Sequence, residues 1–295
     1  MSGHLTRVRT SVRIHAHRRV RGQLEGEYAA LDPGRSTDFN DLREYVRGDD
    51  VKDLDWKASA RTRTMLVRRY TANRKLLVSL VVPTGRSMAA ANDLDVPKRD
   101  LAVTVVGVMG HLAVGHGDRV CLVLGDADRQ AHRPSTGGEL GLERCLAAVH
   151  DAIGPDAGST DLAAVLRHAA RVVRTRTVML VVCDAPVLED DAVAALRRLR
   201  VQHEVLLVTV GDLDPSVVRT GRALRDVDSG QGLPAWLRED TRLGLELLDR
   251  TRADAERLAG QLRSTGVVHE HVAGHADAVP ALLRLLERHR RARRR

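Results

Sequence analysis

Hydroxyl and carboxylate side chains stand at three points where an alternating fold would gather them: Pro83-Thr84-Gly85-Arg86-Ser87, Gly158-Ser159-Thr160-Asp161 and Asp184. The first and last follow apolar runs that read as strands, and the second opens a helix. In open α/β sheets, ligands sit in the crevice beyond the carboxyl ends of the strands, so chemistry is to be sought where these three meet. Other candidates are weaker. His269-Glu270-His271 puts two imidazoles on one face of a predicted strand, but two ligands do not make a zinc site, and an exposed edge strand is expected. Ser135-Thr136-Gly137-Gly138 opens a helix and could receive an anion. It lacks the Lys and Ser/Thr of a phosphate loop, so a turn and cap is expected. Cys121 and Cys183 fall in predicted core strands and read as buried, inert thiols. The sequence contains no Gly-x-Ser-x-Gly elbow, zinc-protease helix or dinucleotide fingerprint.

Residues 34–61 are of another kind. They mix both charge signs densely, have little hydrophobic periodicity, and hold the only Phe (Phe39), one of two Trp (Trp56) and one of three Tyr (Tyr45). Pairs such as Arg43/Asp50 and Arg47/Asp55 would be costly to bury unless matched. Two compatible readings follow: an ion-pair network pinning Trp56 onto the domain, or a docking face for a partner.

The elements that must position these groups are legible from periodicity. Strands are predicted at Met65–Tyr70, Leu76–Val82, Arg119–Leu124, Thr177–Cys183, Glu204–Val210 and Val267–Val272, with a short one at Gly26–Leu31. Helices are predicted at Pro97–Gly115, Gly138–Ile153, Asp161–Arg174, Asp190–Arg200, from Pro215, across most of 234–265, and at Ala276–Arg290. A short strand and a Gly-rich loop are expected within 222–233. Continuous apolar strands alternating with helices imply a mainly parallel, doubly wound α/β sheet covered on both faces. Val12, Ile14 and Val20 make no broad stripe, so residues 1–25 are expected to be a basic arm, solvated or loosely docked.

The totals agree with a folded chain. At 295 residues with 43% apolar and 29% charged content it can bury a sizeable core, built from Val, Leu and Ala because aromatics are only 2%. The net charge of +8 is uneven. Residues 1–75 hold 17 Lys and Arg against 10 Asp and Glu, residues 284–295 hold 7 against 1, and the stretch between holds 23 against 28. Basic ends suggest solubility tails or contact with an anionic surface, nucleic acid or membrane, not a basic domain clamping nucleic acid. Three cysteines without paired spacing point to a reducing compartment. No secretory signal and no run near 20 apolar residues is seen, and a cytoplasmic protein is expected.

Gly48-Asp49-Asp50, then Asp55-Trp56-Lys57-Ala58-Ser59-Ala60-Arg61, preceded by Phe39-Asn40-Asp41-Leu42-Arg43-Glu44-Tyr45, resembles the signature of the family called domain of unknown function 58. The likeness spans about 30 residues and includes Arg47. It implies a von Willebrand factor A-like domain at 76–283, preceded by the signature segment at 26–75 and followed by a basic tail at 284–295, with the signature packed at one edge of the sheet. It also implies a partner, a MoxR-type AAA+ ATPase, in chaperone-like assembly or activation of other proteins. Many members carry N-terminal membrane helices; this chain reads as a short, soluble form, with peripheral membrane contact as the remaining possibility.

The resemblance further implies where a metal would lie. An A-type domain holds its ion with Asp-x-Ser-x-Ser after the first strand, a Thr from a second loop and an Asp after a later strand, oxygen donors that suit Mg²⁺. Here Pro83 stands for the Asp and Gly85 for the first Ser, leaving Ser87, Thr160 and Asp184. Losing that carboxylate removes charge that would hold an ion, and Arg86 adds an opposing one. The expectation is a degenerate site that binds no Mg²⁺, no cofactor, and a non-catalytic interaction module. A metal-dependent binder or enzyme using Ser87, Thr160 and Asp184 is the alternative.

Overall fold

A computed structural model describes residues 3–15, 18–31, 42–46, 49–50, 54–68, 75–92, 94–184, 187–211, 224–227, 230–233 and 241–293. Its centre is a six-stranded sheet. In chain order the strands are β3 (Leu77–Pro83), β4 (Arg119–Gly125), β5 (Gln130–Thr136), β6 (Val178–Cys183), β7 (Glu204–Val210) and β10 (Val268–Val272). The spatial order is β10-β7-β6-β3-β4-β5, all parallel except β5, which runs antiparallel to β4. Two small antiparallel ribbons, β1 (Leu42–Glu44) with β2 (Leu66–Arg68) and β8 (Leu224–Arg225) with β9 (Gly232–Leu233), lie outside it.

Strand alternation divides the core in two. Val78, Leu80 and Val82 of β3, with Leu122, Leu180 and Leu206, enter one cluster, which is covered by α1 (His4–His15), α2 (Arg18–Ala29), α4 (Lys98–Gly115), α5 (Gly138–Ala152) and α9 (His275–Arg293). Val81, Val123, Val181 and Leu207 enter the other, under α6 (Leu162–Val172), α7 (Asp190–Gln202) and α8 (Thr241–Thr265). This is the expected doubly wound α/β class. Ser79, the one polar residue inside β3, meets Cys121 Sγ and Thr177 Oγ1, each at 3.1 Å. All three cysteines are buried, and burial pushes the Cys121 and Cys145 thiols up, away from the nucleophilic thiolate.

The C-terminal helix expected at Ala276–Arg290 is present as α9, but the N-terminal end departs from expectation. His4–His15 and Arg18–Ala29 are helices, not a loose arm, and Gly26–Leu31 is the last turn of α2 and the turn after it, not a strand. Leu5, Val8 and Val12 make a narrow stripe at helical spacing that enters the first cluster, joined by Leu24 and Tyr28 of α2. Each buried aliphatic side chain contributes roughly 1.5–3 kcal/mol, so even a narrow stripe holds a helix that would not persist alone. Glu143 of α5 receives the His4 and Leu5 N–H groups at 2.7 and 2.6 Å, setting an anion against the α1 N-terminus. Tyr28 donates its hydroxyl to Asp118 at 2.9 Å. Residues 284–293 of the basic tail are the last turns of α9. There Arg284 and Arg288 bind Glu270, Arg290 binds Glu27, and His289 and Arg293 bind Glu204. Those arginines hold the chain's own carboxylates. Strand β5, almost wholly exposed, was not expected, and the helix expected from Pro215 lies outside the described residues.

Candidate functional site

The crevice lies beyond the carboxyl ends of β3 and β6, which pair in register from Val78↔Val178 to Val81↔Val181. Past Pro83, the Thr84 N–H donates to the Gly125 carbonyl at 2.6 Å, and a 3-10 turn runs over Arg86–Ala89. The Arg86 N–H donates to the Gly158 carbonyl at 2.9 Å, drawing this turn onto the loop before α6. Gly85 then lies so close to Thr160 that a Cβ there would sit 2.2 Å from Oγ1, 2.4 Å from Cα and 2.5 Å from N. Ser87 and Thr160 meet, hydroxyl to hydroxyl, at 2.6 Å. Asp161 caps α6 by accepting the Ala164 N–H at 2.7 Å.

Asp126 holds the opposite lip and had no sequence signal beyond its place after a strand. Its carboxylate accepts N–H groups from Asp128, Arg129 and Gly158 at 2.9, 2.7 and 3.0 Å. Burial pushes this carboxyl up, but those donors and the Arg129 charge outweigh it and leave it below the ordinary range. Asn92 ties the loop after β3 to the end of β10, its amide donating to the Ala273 carbonyl at 2.6 Å.

Asp184 has a partner that the sequence reading missed. The Lys98 ammonium lies 3.0 Å from its Oδ2, with the two side chains only 2% and 8% exposed. Of the three predicted ligands, the structure brings Ser87 and Thr160 onto each other and gives Asp184 to a lysine. These residues do not fit a divalent ion. A cation occupies the one remaining carboxylate, and Gly85 leaves no room for the missing serine. Among the described residues no group of three or more His, Cys, Asp or Glu could hold a metal. One signal pointed to Lys98: a lysine in the first turn of a helix opposes the helix dipole and wants a reason.

His269 and His271 lie on edge strand β10, as expected, and share one hydroxyl. Thr209 Oγ1 is 3.1 Å from His269 Nε2 and 3.1 Å from His271 Nδ1. A hydroxyl can donate to one ring and accept from the other only while at least one ring keeps a bare nitrogen. Burial, with the His271 and Arg288 charges, pushes His269 down to about 4, and burial lowers His271 as well. The neutral rings therefore stabilise the fold fully above the unfolded value of about 6.5, and that contribution fades as pH falls toward the folded value. Urea melts from pH 7 down to 4.5 should show a loss on the order of 2 kcal/mol, allowing for partial solvent screening. His269→Gln should flatten that slope.

The signature segment is a small unit. Glu44 pairs with Leu66 in the β1–β2 ribbon, and the Tyr45 N–H donates to the Met65 carbonyl at 2.8 Å. Asp49 closes a turn by accepting the Val46 N–H at 2.9 Å, and Asp50 is exposed. Asp55 is buried and caps α3 (Trp56–Thr62), accepting the Lys57 and Ala58 N–H groups at 3.1 and 3.0 Å. Ser59 Oγ accepts the Leu66 N–H at 2.8 Å, fastening α3 to the ribbon. No residue of α3 is buried. Trp56 is 65% exposed, and Val46, Lys57, Arg61 and Met65 are exposed with it. The expected pinning of Trp56 onto the domain is thus corrected, because the indole faces solvent. Phe39, Arg47, Gly48 and the Arg43 side chain lie outside the described residues, and so do the expected Arg43/Asp50 and Arg47/Asp55 pairs.

A family described as "Protein of unknown function DUF58" matches residues 41–242. Uncharacterized proteins of Mycobacterium tuberculosis and Mycobacterium bovis are each 29% identical over 230 residues, which is 75% of this chain and 70% of theirs. Among solved structures, a von Willebrand factor type A protein from Catenulispora acidiphila aligns at TM-score 0.38 and 10% identity, over 77% of this chain and 44% of that one. This chain thus spans less than half of that structure's length. The VWA domain of SpRpn10 aligns at TM-score 0.34 and 13% identity, over 48% of this chain and 78% of its own. At such scores the fold rests on the strand order and packing described above.

Proposed function

We propose, from the premise that this chain belongs to the DUF58 family, that it is a non-catalytic protein-interaction module whose signature segment docks a MoxR-type AAA+ ATPase. Together they would assemble or activate other proteins in a chaperone-like way. Under this reading the chain works in the cytoplasm beside an ATP-consuming partner. Separately, no helix among the described residues is long and apolar enough to cross a membrane.

The observation that carries this reading is the exposure of Trp56 at the head of α3. A fold with so few aromatics that leaves an indole in water, beside Lys57 and Arg61, presents the residue types that dominate interface energetics. The ribbon and the Asp55 cap hold that face rigid, which lowers the entropy cost of docking. In the crevice, the Ser87 and Thr160 hydroxyls and the Asp184 carboxylate are held by partners within the chain.

The test is binding of the purified full chain to the purified ATPase encoded nearest to it, followed by titration calorimetry. Trp56→Ala and Arg61→Ala should each weaken binding by about tenfold or more while leaving the melting temperature within about 2 °C, because both side chains are exposed. No binding by the unaltered chain removes the proposed partner. Binding that both variants leave unchanged removes the proposed face.

A further inference from the structure

We infer that Lys98 is a built-in cation: its ammonium takes the position and the charge of the ion that an A-type crevice would hold, and makes the crevice independent of metal. The first support is burial. An ammonium 2% exposed must be matched by a negative charge, and Asp184, 8% exposed and 3.0 Å away, matches it.

The second is placement. Lys98 opens α4, where a positive charge is disfavoured by the helix dipole, and Pro97 before it supplies no side-chain cap. The chain brings it there deliberately: the Lys98 N–H donates to the Ala90 carbonyl at 2.9 Å, and Ala91 bridges Pro97, folding the loop after β3 back so that the lysine starts beneath the strand ends.

The third is charge balance. With Pro83 where a carboxylate would stand, Asp184 is the single negative charge of the predicted ligand set, and the Lys98 ammonium stands against it. Gly85 gives the same answer sterically, because Thr160 fills the space a serine side chain would need.

Thermal melting of the full chain with about 10 mM Mg²⁺, about 1 mM Mn²⁺ or chelator tests this. The unaltered chain should melt at the same temperature in all three. Lys98→Met should melt about 6 °C lower, since it leaves a buried carboxylate uncompensated. Mn²⁺ should return about half of that loss by binding Asp184 with the Ser87 and Thr160 hydroxyls. Lys98→Met with Asp184→Asn should melt above the single variant and ignore Mn²⁺, which keeps the test decisive if the single variant folds poorly. A metal-dependent rise in the unaltered chain would overturn the inference. So would a single variant that melts like the parent, one indifferent to Mn²⁺, or a double variant that responds to it.

Discussion

A chain ended at Leu283 should lose its cooperative native melt at 25 °C, while one ended at Arg293 should melt like the whole protein. The first removes Leu285 and Leu286, both fully buried on α9. It also removes every cation that α9 sets against three inward carboxylates. Glu270, 6% exposed, loses Arg284 and Arg288; Glu27 loses Arg290; Glu204 loses His289 and Arg293. Burial pushes the Glu204 carboxyl up, but the His289 hydrogen bond and the arginines overcome it and hold it low, so it is a charge these partners sustain. Glu204 keeps Arg176 at 3.3 Å, so with two buried leucines worth about 4 kcal/mol and Glu270 and Glu27 each adding about 1–3, the sum of at least about 6 kcal/mol rivals the whole stability of a domain. Circular dichroism against temperature reads the outcome. A truncated chain that still melts cooperatively would show that α9 ends functionally at its apolar face. Loss of nucleic-acid or lipid affinity on such truncation would report unfolding, not a lost binding tail.

Gly85→Ser, which puts a serine where the resemblance to A-type domains implied one, should destabilise the fold by more than about 3 kcal/mol and confer no metal response. The backbone at Gly85 has φ −65° and ψ 166°, a conformation open to any residue, so the cost is contact and not conformation. The added Cβ would meet Thr160 N and Cα at 2.5 and 2.4 Å, and backbone atoms cannot rotate away as a side-chain tip can. Relief requires parting the loop after β3 from the start of α6, which breaks the Arg86–Gly158 backbone bond and the Ser87–Thr160 hydroxyl pair. Gly85→Ala should cost nearly as much, since the first added carbon does the damage. Chemical denaturation of the two variants checks this, and a near-neutral Gly85→Ala would show that the loops part easily.

The five parallel strands and the helices between them were readable because each is a local pattern. LVSLVVP and VMLVVC are apolar over their whole length, as only strands covered on both faces can be. Strand β5, QAHRPST, carries no such pattern because it is an edge with its side chains in water, so nothing in its composition separates it from a loop. Helices α1 and α2 escaped for the opposite reason. Their few apolar residues are enough only because α4, α5 and α9 wait beneath them, and that surface exists only after folding.

By itself, then, the sequence determined the doubly wound class and the family segment around Trp56. Each is written in consecutive residues whose spacing and chemistry act over a few positions. The tertiary structure alone decided which groups were spent on one another. Asp184 finds Lys98 across 86 positions, Ser87 finds Thr160 across 73, and Glu143 finds the start of α1 across 139. A charge or hydroxyl announces that it needs a partner but not which one, because electrostatics and hydrogen bonding depend on distance in space, and only the packed sheet and helices set that distance.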